Sequence, residues 1–475
     1  MTCRSSDSVL SSIQFFTFDQ VIPQDHLVYK LDRAIDWSKI GQLALPLYSD
    51  KGRMAVNPVI LFKMLVINIV FGYNSMRRTC TECQLNAAYR WFLGLGFDQK
   101  IPNYSTWCQN YRRRYAGTDI FEQIFQLILE SCFKEGYIQL ESVFGDSTHQ
   151  KANANKHHYL IEQIQVAEKA YTQQLNDEIN EDRADHGKKP LKEKENTELG
   201  FEEATGKEIK VQDSHEVKKS TVDPDAGLFH KGEKEKCFAY SHSIFTDRNG
   251  FVLTVETKAG NVHDSVSFFD LYEKLLNGFP FSPQLSGQIQ NIVLDAGYKT
   301  PAICREILKS GRKPILPYKR SARKEGYLKK SEFVYDEEYD EYLCPGGHEL
   351  YYSTTNRNGY REYKSDPEKC AECPLLEQCT HSKNHQKVIT QHVWWSYVEK
   401  AEEIRHTRGT KEIYSKRKES VERTFAEVKE NNGMRFTRLR GMEKNKVQAL
   451  LIFACHNLKK LALWQWKNRK MAIGA

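Results

Sequence analysis

Three carboxylates in this chain stand in settings suited to metal chemistry. Asp146 closes an apolar run in LESVFGDSTHQKANANK, Asp295 closes another in NIVLDAGYKT, and Glu422 lies in YSKRKESVERTFAEVK, a helical stretch crowded with bases. Aspartates at the ends of neighbouring strands point into one crevice beyond those ends, the usual place for ligands in α/β sheets. Mg²⁺ prefers hard carboxylate oxygens, one or two per ion, with waters and substrate phosphate completing its shell. Two such ions ~4 Å apart activate an attacking oxygen and stabilise a leaving one. Two strand-end aspartates and a helical glutamate are thus a ligand set for paired Mg²⁺ (or Mn²⁺) ions acting on phosphodiesters. Singly, each acid has a plainer reading: Asp after a strand forms turns, and Glu422 could pair with Lys418 at i,i+4.

The bases around these acids suit a polyanion. The formal charge is only +7, from 69 Lys and Arg against 62 Asp and Glu, so placement matters more than total. At 100° per residue Lys418, Glu422, Phe425 and Lys429 share a helix face, beside an apolar stripe of Val421, Phe425 and Val428. Arg417, Lys418 and Lys429 read as phosphate contacts that hold a DNA backbone without reading sequence. Arg112 and Arg113 in YRRRY are a second candidate contact, although any single basic cluster also suits a solvated surface.

Elements must carry these residues to one place. Residues 1–135 read as mostly helical, including a buried helix over 59–73 started by Asn57-Pro58 and another over 120–133. Short strands are predicted from Ile138 to Phe144, over 238–245 and over 251–259, the last two joined at TDRNG as a hairpin. Helix, strand, helix and strand follow to about residue 319, giving a mixed α/β pattern around one sheet. Residues 157–215 read as an insertion, opening with a helical stripe (Leu160, Ile164, Tyr171, Leu175, Ile179) and passing into NEDRADHGKKPLKEKEN, expected to be a mobile loop. Residues 321–385 form a second, Cys- and Tyr-rich insertion, and helix returns from about 398 to 431 and from 442 to 467. The expected domains are therefore 1–135, a core of 136–320 with 386–467, and the 321–385 insertion.

Twelve cysteines without a signal-like start point to reduced thiols or metal ligands. Cys344, Cys370, Cys373 and Cys379 could close a tetrahedral Zn²⁺ site, with His348 or His381 as substitutes, or be thiols in a Tyr-rich insertion. Cys80 and Cys83 read as helix thiols of the core or surface. No stretch suits a membrane span, and a cytoplasmic protein is expected.

With these blocks together, the chain resembles a DDE transposase of a bacterial insertion sequence. The resemblance runs through NAAYRWFLGLGFD, IPNYSTW, GDSTHQKANANK, STVDPDAGLFHKGEK, LDAGY and VERTFAEVK followed by GMRFTRLRG. It implies a ribonuclease H-like catalytic core behind a helical N-terminal DNA-binding domain. It also implies Asp146, Asp295 and Glu422 as catalytic metal ligands, and cutting of element ends followed by joining of the freed 3′-OH to target DNA. Partners would be double-stranded DNA, as terminal inverted repeats and target, with a homodimer or larger assembly on it, at the nucleoid when bound. The family's third-acid helix resembles Tyr-x2-Arg-x3-Glu-x6-Lys. Glu422 and Lys429 keep their gap, Tyr414 and Arg417 stand one residue too far from Glu422, and Lys418 fills the strict basic slot. Two further readings are a transposase-derived DNA-binding protein without activity and a ribonuclease H-like nuclease that only hydrolyses.

Overall fold

A computed structural model of the chain describes residues 16–49, 51–52, 54–165, 171–191, 214–231, 235–278, 283–318 and 325–473. The apolar run at 59–73 forms α1 (Pro58–Val70), capped by Asn57, whose Oδ1 accepts from Val59 N at 2.9 Å. In α2 (Ile120–Lys134) Ile120, Phe121, Ile124, Phe125, Ile128, Leu129 and Cys132 are buried at helical spacing. Cys80 and Cys83 lie buried on the helix Met76–Leu85.

The chain then enters β1 (Ser142–Lys151), β2 (Tyr159–Gln165), α3 (Thr172–Asp185), β3 (Ser214–Ser220), β4 (Gly227–Lys231), β5 (Glu235–Thr246), β6 (Val252–Ala259), α4 (Asp264–Asn277), β7 (Asn291–Val293), α5 (Pro301–Lys309) and β8 (Lys313–Ile315). One six-stranded sheet runs β4-β5-β1-β7-β8, with β6 on β5, while β2 and β3 form a separate ribbon. β1 is antiparallel to β5 and parallel to β7, so the sheet is mixed as predicted. The TDRNG segment turns the β5–β6 hairpin, and Gly250 takes the φ of 78° that favours glycine there.

A second, antiparallel sheet follows, from β9 (Val334–Asp336), β10 (Glu341–Leu343), β11 (Glu349–Thr355), β12 (Tyr360–Ser365) and β13 (Val388–His392). Two short helices, α6 (Pro367–Ala371) and α7 (Leu376–Cys379), connect β12 to β13. The chain ends in α8 (Trp395–His406), α9 (Val421–Asn431) and α10 (Met442–Ile473). A single apolar cluster from Val28 to Ala462 joins the N-terminal helices, the six-stranded sheet and α10. Among the described residues no helix is long and apolar enough to cross a membrane.

Four expectations change. The strand expected from Ile138 to Phe144 begins only at Ser142 and continues through Asp146 to Lys151, because β5 pairs with it from Phe144 onward. The stripe opening at Leu160 is not one helix, because residues 159–165 are β2 and the helix starts at Thr172. A four-residue step such as Leu160 to Ile164 also fits the two-residue period of a strand. Residues 180–191 of the stretch expected to be mobile finish α3 and the turn after it, and polar bonds fix them. Asp182 pairs with Arg361, Arg183 Nη1 donates to Thr354 Oγ1 (2.7 Å) and Thr355 O (2.8 Å), and His186 Nε2 lies 2.6 Å from Asp340 Oδ2. Residues 192–196 of that stretch lie outside the described residues. The helix expected over 398–431 breaks into α8, a helix at Thr410–Ser415, a 3-10 turn at Lys416–Lys418, and α9.

Candidate active site

Phe144 pairs with Val293 across the parallel strands β1 and β7, and two residues beyond that pair stand Asp146 and Asp295. Asp146 stays within β1, which runs on to Lys151 against β5, while Asp295 lies just past the end of β7. The two acids therefore meet where β1 outruns its parallel neighbour, and the charge of Asp295 acts on Asp146. Gly145 lets the strands close: a Cβ there would come within 2.5 Å of Leu294 Cδ2 and 2.6 Å of Phe245 Cε1. Asp295 Oδ1 accepts from Gly297 N at 2.8 Å, so the loop after β7 fixes its carboxylate. A Cβ on residue 297 would lie 3.1 Å from that oxygen, crowding a side that glycine leaves clear. Asp146 Oδ1 accepts from Ser147 N at 2.8 Å.

Glu422 stands in the first turn of α9, which the sheet and the N-terminal helices hold from several sides. Thr424 Oγ1 donates to Gly250 O at 3.2 Å, and Asn432 Nδ2, just past the helix, donates to Ile69 O at 3.0 Å. The one-residue mismatch upstream is absorbed by the break before α9, where Ser420 adopts φ −101° and ψ −97°. Lys418 points to solvent, and Arg417 turns inward and is buried. Its Nη1 donates to Gly145 O at 2.7 Å and its Nη2 to Asp146 Oδ2 at 2.9 Å, while its Nε lies 3.9 Å from Glu422 Oε1. Arg417, not Lys418, therefore occupies the basic position of this site. Its cation also sits 5.9 Å from the centre of the Tyr414 ring, and the charges of Asp295, Glu422 and Asp146 act on the Tyr414 hydroxyl.

Burial pushes the Asp146 carboxyl up to about 6, against the pull of Arg417 and the Ser147 N–H, and the charges of Asp295 and Asp264 add to the rise. Burial raises the Tyr414 hydroxyl, with Arg417 opposing. Tyr298, buried, is raised well above its ordinary value by burial and then by Asp264. Tyr298 OH lies 2.7 Å from Ser147 Oγ, which lies 2.7 Å from Ser243 Oγ, and that oxygen lies 3.0 Å from Ser267 Oγ. This hydroxyl chain runs beneath the acids towards the start of α4. Sequence reasoning did not single out Asp264, Ser147 or Tyr298; the place of Tyr298, three residues after Asp295, was the available signal.

The donor chemistry fits hard divalent ions, with one carboxylate within β1, one just past β7 and a third on a nearby helix. As the side chains stand, no three His, Cys, Asp or Glu among the described residues form a group that could hold a metal ion. Arg417 lies between Asp146 and Glu422, and the Glu422 side chain, 51% exposed, has room to rotate.

The other predicted residues scatter. Arg112 and Arg113 are exposed on the turn Tyr111–Tyr115, far along the chain from the acids. Lys429 is half-buried on α9, where its charge acts on the buried His242. Cys344, Cys370, Cys373 and Cys379 line one cavity in the second sheet.

Two family models match the chain. One described as a Transposase DDE domain covers residues 343–462, which include Glu422 and the cysteines; one described as a Transposase domain covers residues 16–113. No curated protein and no solved structure matches. A DDE domain carries a ribonuclease H-like fold, in keeping with the mixed sheet and its flanking helices. Together, the matches at the helical start and at the C-terminal part indicate a DDE transposase of an insertion sequence.

Proposed function

We propose that this transposase cuts DNA at the ends of its element and joins the freed 3′-OH to target DNA, with Asp146, Asp295 and Glu422 as its metal-holding acids. The observation that carries the reading is the register of β1 and β7, which brings two aspartates together near a helix bearing the glutamate. Paired Mg²⁺ or Mn²⁺ ions, when bound, supply Lewis acidity at both the attacking and the leaving oxygen.

The chain's own residues supply position and charge. Arg417 offsets negative charge between Asp146 and Glu422, and releasing Glu422 from it frees that carboxylate to turn towards the aspartates. The Tyr298–Ser147 hydroxyls brace β1 from below. Lys418 and Lys429, on the stretch that carries Glu422, serve as phosphate contacts, and Arg112 and Arg113 add exposed charge on the helical N-terminal part, assigned to element ends. Water attacks a phosphodiester and leaves a 3′-OH and a 5′-phosphate. That hydroxyl then attacks a target phosphodiester, exchanging one such bond for another without an external energy source. Joining two ends calls for at least two copies on the DNA.

The test is labelled DNA carrying the segments that flank this gene, incubated with purified protein in Mg²⁺ or EDTA beside Asp295→Asn. Metal-dependent nicks at an inverted repeat, joined to a second DNA and absent from the variant, are expected. Binding without cutting would point to a DNA-binding protein only, and cutting without joining to a simple nuclease.

A further inference from the structure

We propose that Cys344, Cys370, Cys373 and Cys379 bind one structural Zn²⁺ that fastens α6 and α7 to the five-stranded sheet. The four cysteines come from two separate stretches, the turn after β10 and the α6–α7 connection, and line one small cavity with His348. None is in a disulfide. A Cβ placed on Gly346 would be 3.3 Å from Cys373 Sγ and 3.5 Å from Cys344 Sγ, so the two stretches already meet at their sulfurs.

The local energetics call for such a fastening. Helices α6 and α7 have five and four residues, and neither buries one. Single turns of this kind do not persist on propensity. The sheet beneath offers little to dock on: its core is Phe333, Tyr342, Leu350, Tyr363 and Ile389, with Cys344 and Cys379 at its edge. A core this small ordinarily needs a disulfide or a metal. Two of the four sulfurs have hydrogen-bonding groups at hand. His348 N donates to Cys344 Sγ at 3.3 Å, and Ser365 Oγ lies 3.2 Å from Cys370 Sγ, where it can donate once that thiol loses its proton.

As they stand the sulfurs do not form a closed ligand group. Tetrahedral closure at Zn–S distances of ~2.3 Å needs cysteine side-chain rotation into the cavity. Binding releases the thiol protons to solvent and involves no redox change.

The test uses the full chain purified without chelator, its zinc measured by elemental mass spectrometry and its thiols by alkylation. One Zn²⁺ per chain is expected, with these four cysteines protected until a strong chelator is added. Cys370→Ser with Cys373→Ser should cut the zinc about tenfold or more, while Asp146→Asn keeps it, which separates this site from the acids. If the double variant does not fold, protection in the unaltered chain decides. The proposal is overturned if the chain takes up no zinc from added Zn²⁺, if the double variant keeps it, or if the four cysteines prove paired as disulfides.

Discussion

The sheet that presents Asp146 and Asp295 and the sheet that holds the four cysteines are closed by different means. The first is one layer of a continuous apolar core, reaching from the N-terminal helices to α10. Its polar groups can therefore be spent on the crevice. The second has five buried apolar side chains in its core and leans on α3 through ion pairs and hydrogen bonds. On its other side α3 reaches the first sheet's flank, where Glu178 accepts from Arg305 Nη2 of α5 at 2.6 Å. A large core tolerates a charged crevice at its edge; a small one needs charge and metal to stay folded. Chemistry and stability should accordingly separate on mutation.

The sharpest way to break the comparison is at the acids. Asp146→Asn and Asp295→Asn are each expected to lower DNA cleavage by about a thousandfold or more. Asp295→Asn, which leaves the Arg417–Asp146 pair intact, should also unfold close to the parent's temperature, which calorimetry checks. Activity that survives either change would remove that acid from the site.

Next in size is Arg417, where the regions' rules meet. Its buried guanidinium ties Gly145 O of β1 and Val293 O of β7 to Asp146, and Arg417→Ala should cost about 2 kcal/mol, less than for a fully enclosed pair because Asp146 keeps some exposure. Lys418→Ala, in solvent, should change stability by less than ~0.5 kcal/mol. Urea unfolding of the two variants compares them, and equal costs would contradict the inward turn at Ser420.

A smaller effect is expected at the N-terminal surface. Arg112→Ala with Arg113→Ala should leave stability unchanged and weaken DNA binding, reducing the slope of log K against log salt by roughly 2. An unchanged slope in titrations at several salt concentrations would remove this turn from the interface.

The smallest effects are in pH, and they have opposite signs in the two regions. His242, buried between Thr257 and Gln150 in the first sheet, is pushed by burial down to about 3 from 6.5. The unfolded chain then binds its proton more readily, so stability is full above pH 6.5 and falls as pH drops from there towards 3. At His186 burial pulls downward, but the bonds to Asp182 O and Asp340 outweigh it and the imidazole is raised. That contribution is full below its unfolded value of 6.5 and is lost as pH rises through the folded one. Amide protection, taken relative to the intrinsic rise of exchange with pH, should therefore fall in α3 and β11 but not in β5 between about pH 6 and pH 8. A uniform loss of protection would contradict the contrast.

Sequence alone exposed the parts of this molecule that apolar periodicity governs. The runs ending in Asp146 and Asp295, the TDRNG hairpin and the α1 cap are each written in a few adjacent residues. What stayed hidden depends on polar contacts between distant segments. Residues 180–191 look like solvated charge because Asp182, Arg183 and His186 find partners at Arg361, Thr354 and Asp340, about 150 to 180 positions on. The inward turn of Arg417 rests on one backbone break at Ser420, which helical spacing cannot reveal. The cysteine spacing was visible, but the tyrosine-rich strands that bring the four together were not.

The central claim, that Asp146, Asp295 and Glu422 hold divalent metal, is tested most directly by crystals of the full chain with an element-end DNA and Mn²⁺. Anomalous peaks should lie ~2.1 Å from carboxylate oxygens of Asp146 and Asp295, with Glu422 turned away from Arg417 to join them. Mn²⁺ bound elsewhere, with Arg417 still between Asp146 and Glu422 on cleavable DNA, would contradict it.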